Sequence, residues 1–525
     1  MLENVINKIE IKNFKKFQNL TINFNTDLNI LVGDNESGKS TILQAIDLVS
    51  SGSKRKITDI GLDKLFNKQA VKNFLNLNDC ERTIQNLPIL EIDLYLTSTT
   101  KDCDLEGNNN INKEFDCGIR LVCEINYLYQ NEVNKILKDK NNIIFPFDYY
   151  SIEFTTFAGV GFIPRSKKIF SLLINTNNIN SKYSYEEFIK KIYQNSTEIE
   201  ERLDFQSSYR KARENFSSQG LQKLNNKTTS KYIFSLKDAS ENSLEQDLVL
   251  KEDDIDLASR GEGKQVFIKI DFALNSLKKQ TNILLIEEPE NHLSHIYLQK
   301  IINLIKNNNK DCQIFITTHN NLICSRLSLK KVIILSQNNN AIKLESLDKE
   351  DADFFQKAPY LRLLEFCISS KIILVEGAAE YILFEKFYES HTKNKPEDDN
   401  IQICSIGGVS FKRYLSIAKL LECKVAVVTD NDHDYEKNIS NKYKDFESCK
   451  NIKIFSNQEE KEYTFEVSLY NKNKNECNEI FKKNDENCLN YMLLNKAECA
   501  YKLLNTDKQL NIPEYLKEAI EWIKD

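Results

Sequence analysis

The chain has 525 residues, 41% of them hydrophobic and 28% charged, with a formal net charge of −6. That length predicts two to four domains, and the acidic balance leaves any contact with nucleic acid to local patches or bound cations rather than to a basic surface. Thirteen cysteines without a C-x-x-C pair, beside five histidines, fit reduced thiols in a cytoplasmic protein and argue against a zinc site. The opening MLENVINKIEIKNF is too polar for a signal peptide and no run of 18 apolar residues occurs, so no membrane is expected as a partner.

In chain order, residues 5–32 read as two alternating strands followed by a buried one, Leu28 to Val32, and a helix is expected from Ser40 to Val49. Residues 50–87 are polar and read as a loop with one helix. Leu90 to Leu96 alternates at period two and reads as an antiparallel strand. Asn-rich stretches at 107–113 and 175–180 read as loops. From Ser184 the sequence turns helical and charged, giving an expected helical insertion at about 184–227, either a dimerisation element or a plain solvated layer. Beyond it, short apolar strands alternate with helices: Ile283–Ile286, Ile314–Ile316, Val332–Leu335, Ile372–Val375, Ile401–Ser405 and Val425–Thr429. Such alternation predicts α/β layers. A linker at 357–364 divides an expected first domain, 1–365, from a second, 366–525.

Two groups of residues carry chemistry. Gly33-Asp34-Asn35-Glu36-Ser37-Gly38-Lys39-Ser40-Thr41 has the G-x-x-x-x-G-K-S form between an apolar strand and a helix. There Gly33, Asn35, Gly38 and Thr41 shape a loop whose N–H groups face phosphates, Lys39 reaches the β/γ-phosphates of ATP, and Ser40 offers a hydroxyl to Mg²⁺. A buried strand ends in Glu287-Glu288, expected to anchor the cation and to polarise the attacking water, and another ends in His319, placed to sense the γ-phosphate. In the second group, apolar strands end in Glu376, with Glu380 one helical turn on, and in Asp430-Asn431-Asp432. The i, i+2 spacing of the two aspartates aims both at one side, where they could share a hard cation.

The opening strands, the P-loop, EEPENHLS and ITTH resemble the ATPase head of the ABC/SMC/RecF group, and within it the OLD (overcoming lysogenization defect) family, which includes Gabija-type and retron-linked nucleases. The segment Ala258 to Gln265 resembles the signature of that group while departing from its strict L-S-G-G-Q form; the resemblance implies that Ser259 and Gly261 meet ATP bound by a second copy, hence a homodimer or higher homo-oligomer. Glu376 with Asp430 and Asp432 resembles the TOPRIM pattern. Glu466, in Tyr463-Thr464-Phe465-Glu466, and Lys496 resemble further site residues of OLD nucleases, whereas Ser468 stands where relatives often carry an acid. The resemblance thus implies an α/β chain: an ABC/SMC-type P-loop ATPase followed by a TOPRIM domain. Its metal ligands would be Glu376, Glu380, Asp430, Asp432 and Glu466, and its catalytic residues Glu376, Lys496, Glu288 and His319. The expected function is an ATP-regulated, Mg²⁺- or Mn²⁺-dependent DNA endonuclease of antiviral defence, with a helicase or retron-type partner. An ATP-gated DNA clamp or repair scaffold with a silent TOPRIM domain is the alternative.

Overall fold

The structure, a computed structural model, describes residues 5–97, 103–138, 144–164, 169–176, 182–227, 232–236, 244–276, 283–308, 312–336, 340–358, 363–407 and 410–525. It forms two compact units, one built mainly from residues 35–319 and the other mainly from residues 342–525, with 320–336 grouped in the second.

In the first unit Val5–Phe14 pairs antiparallel with Phe17–Asn23 on one side and Leu90–Thr97 on the other, and Asp116–Ile125 and Tyr150–Thr156 extend the sheet. Alternation buries one face through Ile9, Ile11, Ile22, Ile92 and Leu94. A second, parallel set runs Leu28–Gly33, Gln313–Thr317, Ile283–Glu287, Ser171–Asn175. Leu28–Gly33, Gln313–Thr317 and Ile283–Glu287 are buried throughout, as expected of strands covered on both faces. The register sets Leu31, Thr317, Glu287 and Asn175 in one row at the strand ends. Gln313, fully buried, joins the two sheets: its amide accepts from the Ile6 N–H at 2.9 Å and donates to the Ile6 and Asn25 carbonyls at 2.7 Å.

The helix expected after the P-loop spans Lys39–Ser51. Residues 50–87, read from sequence as a loop with one helix, instead form three short helices, Lys54–Ile60, Leu62–Leu65 and Lys68–Leu75. Their polarity hid them: each buries a single apolar side chain, Ile57, Leu65 or Phe74, and caps from Ser53 and Asn67 start two of them. Helices Lys182–Ser196, Ile199–Asn215 and Gln222–Asn225 fill most of the stretch read as helical. The first packs Phe188, Ile189 and Ile192 inward; the second buries no side chain. Part of the loop expected at 175–180, and part of the linker at 357–364, lie outside the described residues.

Asp47 on the P-loop helix holds these parts together. Its carboxylate meets Lys56 at 2.8 Å and Lys191 of the helix Lys182–Ser196 at 3.1 Å, and Ser171 donates to it at 3.3 Å. Although burial opposes ionisation, Lys191 and Lys56 hold Asp47 well below the usual carboxylate range.

The second unit centres on a four-stranded parallel sheet in the order Ile401–Ser405, Lys371–Val375, Lys424–Val428, Ile452–Phe455. Helices Ala378–Thr392, Lys496–Leu504 and Glu514–Lys524 cover it with Leu383, Phe384, Phe387, Leu503, Leu516 and Ile520. The helix Lys349–Lys357, upstream of the expected 366 boundary, is tied into this unit by Arg413, which bridges Glu350 at 2.8 Å and Asp351 at 2.5 Å.

Removing one partner of a buried ion pair strands the other's charge, so Asp47→Ala should lower the unfolding free energy by about 3 kcal/mol in a denaturant melt. A loss below about 1 kcal/mol would mean that the Asp47 cluster does not anchor the P-loop helix.

Candidate nucleotide and metal sites

The P-loop turns on Gly38. Its φ of +99° suits glycine, and a Cβ there would fall 2.3 Å from the Phe17 ring. The loop borders a cavity of about 990 Å³ lined by Asn35, Lys39, Ser40, Thr41, Glu288 and His319 together with Lys15, Lys16, Lys64 and Lys68. Five lysines and two hydroxyls at a helix N-terminus fit a polyphosphate. Glu287 ends its strand beside this loop: burial raises its carboxyl above the usual range, although the Ser40 hydroxyl donates to it. A hydroxyl and a carboxylate in contact form the donor set that a hard cation between phosphates requires. Glu288 adopts φ of +43°, receives Asn291 at 2.9 Å and lies 3.5 Å from His319 Nε2. Glu290 fixes that histidine's backbone, accepting from the His319 N–H at 2.7 Å and the Thr318 hydroxyl at 2.6 Å. The P-loop residues, both strand-end acids and His319 therefore adjoin one another. Ser259 and Gly261 do not line this cavity; both are exposed, on a turn pinned by the buried Gln265, which donates to the Arg260 carbonyl at 2.8 Å.

The second unit gathers its acids at the C-terminal ends of neighbouring strands, the usual binding edge of a parallel sheet. Val375 pairs with Val428, so Glu376 and Thr429 are next neighbours, and the Thr429 hydroxyl reaches Glu376 at 3.5 Å. Glu380, in the first turn of Ala378–Thr392, is 7% exposed. Asp430 accepts from the Phe465 N–H at 2.8 Å and so caps the helix whose first turn carries Glu466. Glu466 is 3% exposed and meets Lys496 at 3.0 Å. Neither of its buried oxygens has a hydrogen bond of good geometry among the described residues. Lys496 opens the helix Lys496–Leu504, whose far end is tied by Lys386 donating to the Leu503 and Leu504 carbonyls at 3.0 and 2.9 Å.

These charges act on one another. Burial, then Glu466 and Glu376, push Glu380 up to about 7. Burial, then Glu380, Glu376 and Glu466, push Asp430 up to about 8. Lys496 opposes both shifts. Crowded carboxylates, two of them buried and two half-buried, suit a hard divalent cation. Among the described residues, however, no three His, Cys, Asp or Glu side chains form a ready coordination group, so holding a cation would require the acids to move closer together.

Asp432 departs from the expectation that it shares a side with Asp430. The strand stops at Val428; Asn431 turns inward, 1% exposed, donating to the Asn457 carbonyl at 2.8 Å, and Asp432 at φ +47° faces solvent. It is not among the main charges acting on Asp430 or Glu380. Period-two reasoning fails here because it presumes an extended backbone. Ser468 is fully buried and receives Asn457 at 3.2 Å.

A family described as AAA ATPase domain matches residues 5–324, more than half of the chain. The chain belongs to that family. Within the second unit of this AAA-family protein, residues 368–432 match the family described as overcoming lysogenization defect protein-like, TOPRIM domain. The chain is 22% identical to Endonuclease GajA of Bacillus cereus (strain HuB5-5), over 86% of its own length and 79% of that protein's. It is 26% identical to the DNA replication and repair protein RecF of Acetivibrio thermocellus, an alignment spanning 27% of this chain and only 31% of that relative's length. Among solved structures, an Smc head bound to the C-winged helix domain of ScpA is 18% identical, with a TM-score of 0.35 over 65% of this chain and 99% of that one. The C-terminal region of the Burkholderia pseudomallei OLD protein is 19% identical, with a TM-score of 0.25 over 30% of this chain and 96% of that one. Among the described residues, no helix is long and apolar enough to cross a membrane.

Sequence reasoning missed several residues of the AAA-family cavity and the TOPRIM site. Lys15 faces the nucleotide cavity from the turn between the first two strands; burial lowers its ammonium, against the pull of Glu287. Its only signal was a lysine pair between Phe14 and Phe17. Thr429 contacts Glu376, Asn431 anchors the turn after Asp430, and Lys386 ties the helix that Lys496 opens; sequence reasoning assigned none of the three a role of its own.

Because folding raises the Asp430 pKa, the contribution of this group is favourable at low pH and is lost as pH rises from its ordinary value near 4 through about 8. Asp430→Asn, which keeps an oxygen for the Phe465 N–H, should therefore stabilise the metal-free protein by ~2 kcal/mol at pH 8.5 and by nothing measurable at pH 4, with part of the shift shared across the coupled acids. Thermal unfolding in EDTA at the two pH values reads this out; equal effects at both would deny the charge crowding.

Proposed function

We propose that this chain is a cytoplasmic, ATP-regulated DNA endonuclease that uses Mg²⁺ or Mn²⁺, works as a homodimer or higher homo-oligomer, and serves antiviral defence. The observation that carries this reading is the convergence of Glu376, Glu380, Asp430 and Glu466, with Lys496, at one edge of a unit that matches an OLD-like TOPRIM domain. The similarity to Endonuclease GajA over most of both chains supports it.

Glu376, Glu380, Asp430 and Glu466 would hold the divalent ions, with Asp432 at the solvent rim. Bound there, such ions supply charge neutralisation and an activated water for phosphodiester hydrolysis. Lys496, released from Glu466, would stand against charge developing on the scissile phosphate. In the nucleotide cavity, Lys39 and the P-loop backbone would bind the phosphates, Ser40 and Glu287 would hold the cation, Glu288 would orient the attacking water, and His319, 3.5 Å from Glu288, would meet the γ-phosphate. Ser259 and Gly261, exposed in the single chain, are free to meet nucleotide held by a second copy. Ile199, Leu203 and Phe205, at 52%, 61% and 47% exposure on one helix, support self-association. The family resemblance is the sole support for a helicase or retron-type companion.

Supercoiled plasmid incubated with Mg²⁺ or Mn²⁺ should be cut by the wild type and at least ~100-fold more slowly by Glu376→Ala or Asp430→Ala. Equal cutting by all three would defeat the assignment, and ATP-dependent retention of DNA without nicking would favour the clamp. Glu288→Gln should keep ATP binding but slow turnover by about 100-fold; an unchanged turnover would remove Glu288 from its role.

A further inference from the structure

We infer that a cavity beside the acid cluster holds an unpaired base and the adjoining phosphates of a single-stranded stretch of the DNA substrate. The choice of ligand rests on the nuclease reading; the site itself rests on geometry. The cavity measures about 390 Å³, is open to solvent and lies wholly within the second unit. Tyr435, Tyr443, Phe446 and Trp522 offer it four rings, and Lys450 and Lys453 two ammonium groups. Tyr443 and Phe446 are buried and form its floor, whereas Tyr435 and Trp522 are half-buried, with ring surface still accessible. Both lysines are exposed at the rim, and Glu447 is the only carboxylate among the lining residues.

Aromatic faces combined with rim cations suit single-stranded nucleic acid, because every base has a face to stack and every linkage a phosphate to pair. Duplex DNA keeps its bases stacked on one another and cannot present one to this cavity without unpairing it. One side of the Trp522 indole already carries Lys424, 4.7 Å from the ring centre, and Phe455 stands 5.9 Å away, so the ring is held in place rather than free to turn.

No acid of the cluster lines the cavity, but one of its walls leads to them. The chain leaves Asp430 and Asp432 and runs directly into the cavity wall at Tyr435, and Asn438 ties this wall back by donating to the Asn431 carbonyl at 2.9 Å. The wall contains a π-helical turn, Glu436–Asn441, an irregularity that recurs at functional sites. Tyr443 spans the remaining gap. Its ring lines the cavity, while its buried hydroxyl lies by Thr429 without a well-formed hydrogen bond, and Thr429 in turn contacts Glu376. Burial, and then the charge of Glu376, push the Tyr443 phenol up to about 12. A strand seated on these rings would have its backbone led towards the carboxylates.

Trp522 is the single tryptophan of the chain, so its fluorescence reports on this cavity alone. The full-length protein in Ca²⁺ would be titrated with a 15-nucleotide oligothymidylate, with a 15-base-pair duplex, and with dTMP. The inference predicts saturable quenching of Trp522 by the single strand, with affinity at least about tenfold above that for the duplex or dTMP. Tyr435→Ala, and Lys450→Ala with Lys453→Ala, should each weaken it about tenfold, the lysine pair also flattening the salt dependence. Binding without any change in Trp522 emission, or undiminished in both variants, overturns the inference, and quenching by dTMP as strong as by the strand overturns it in favour of a mononucleotide site. Plasmid cutting in Mn²⁺ is scored separately. Cutting without quenching fails the cavity and leaves the nuclease reading, while quenching without cutting fails the nuclease reading and upholds the cavity.

Discussion

Crowding of negative charge in a desolvated place governs the second unit. Glu376, Glu380, Asp430 and Glu466 come from two strand ends and two helix starts; Glu380 and Glu466 are buried and Glu376 and Asp430 half-buried, so little water screens them from one another. Among the described residues, the Lys496 ammonium, the Phe465 and Glu380 N–H groups and the Thr429 hydroxyl oppose their repulsion. The arrangement is electrostatically incomplete without added positive charge, either as protons or as divalent cations. Protons suffice near neutrality, where Glu380 and Asp430 titrate. Cations would replace them, and a phosphodiester could then approach a site that otherwise repels it.

The first unit uses the same device with a different counter-charge. One of its strands also ends in acids, Glu287 and Glu288, at the edge of a parallel sheet, but there Glu288 lines a cavity rich in lysines and Glu287 meets Ser40 beside it. Five lysines against few carboxylates suit a polyphosphate, whereas four carboxylates against one lysine would suit a divalent cation. The P-loop helix that opens the nucleotide cavity is bound through Asp47 to Lys191. That ion pair links the loop to the first helix of the stretch read as a helical insertion.

Much of this was legible in the sequence, because an apolar run that ends abruptly in an acid has few other physical readings. The P-loop, Glu287-Glu288, Glu376 and Asp430 stood out in this way, and each strand appears within a residue or two of its expected place. Spacing misled where the backbone left its regular form. Asp432 follows Asp430 by two residues, yet the intervening turn buries Asn431 and sends Asp432 to solvent. Short capped helices in residues 50–87 were hidden because one buried side chain each leaves no periodicity to detect. Tyr435, Tyr443 and Trp522 meet only through the fold, and no local pattern announces them.

The acid cluster of the second unit should exchange protons for a divalent cation. Calorimetric titration of the nucleotide-free protein with Mn²⁺ at pH 7, in two buffers of different ionisation enthalpy, tests it most directly. The account predicts that binding releases about one proton or more per chain, and that Asp430→Asn with Glu380→Gln abolishes both the binding and the release. Mn²⁺ binding that is independent of the buffer and persists in that double variant would contradict it.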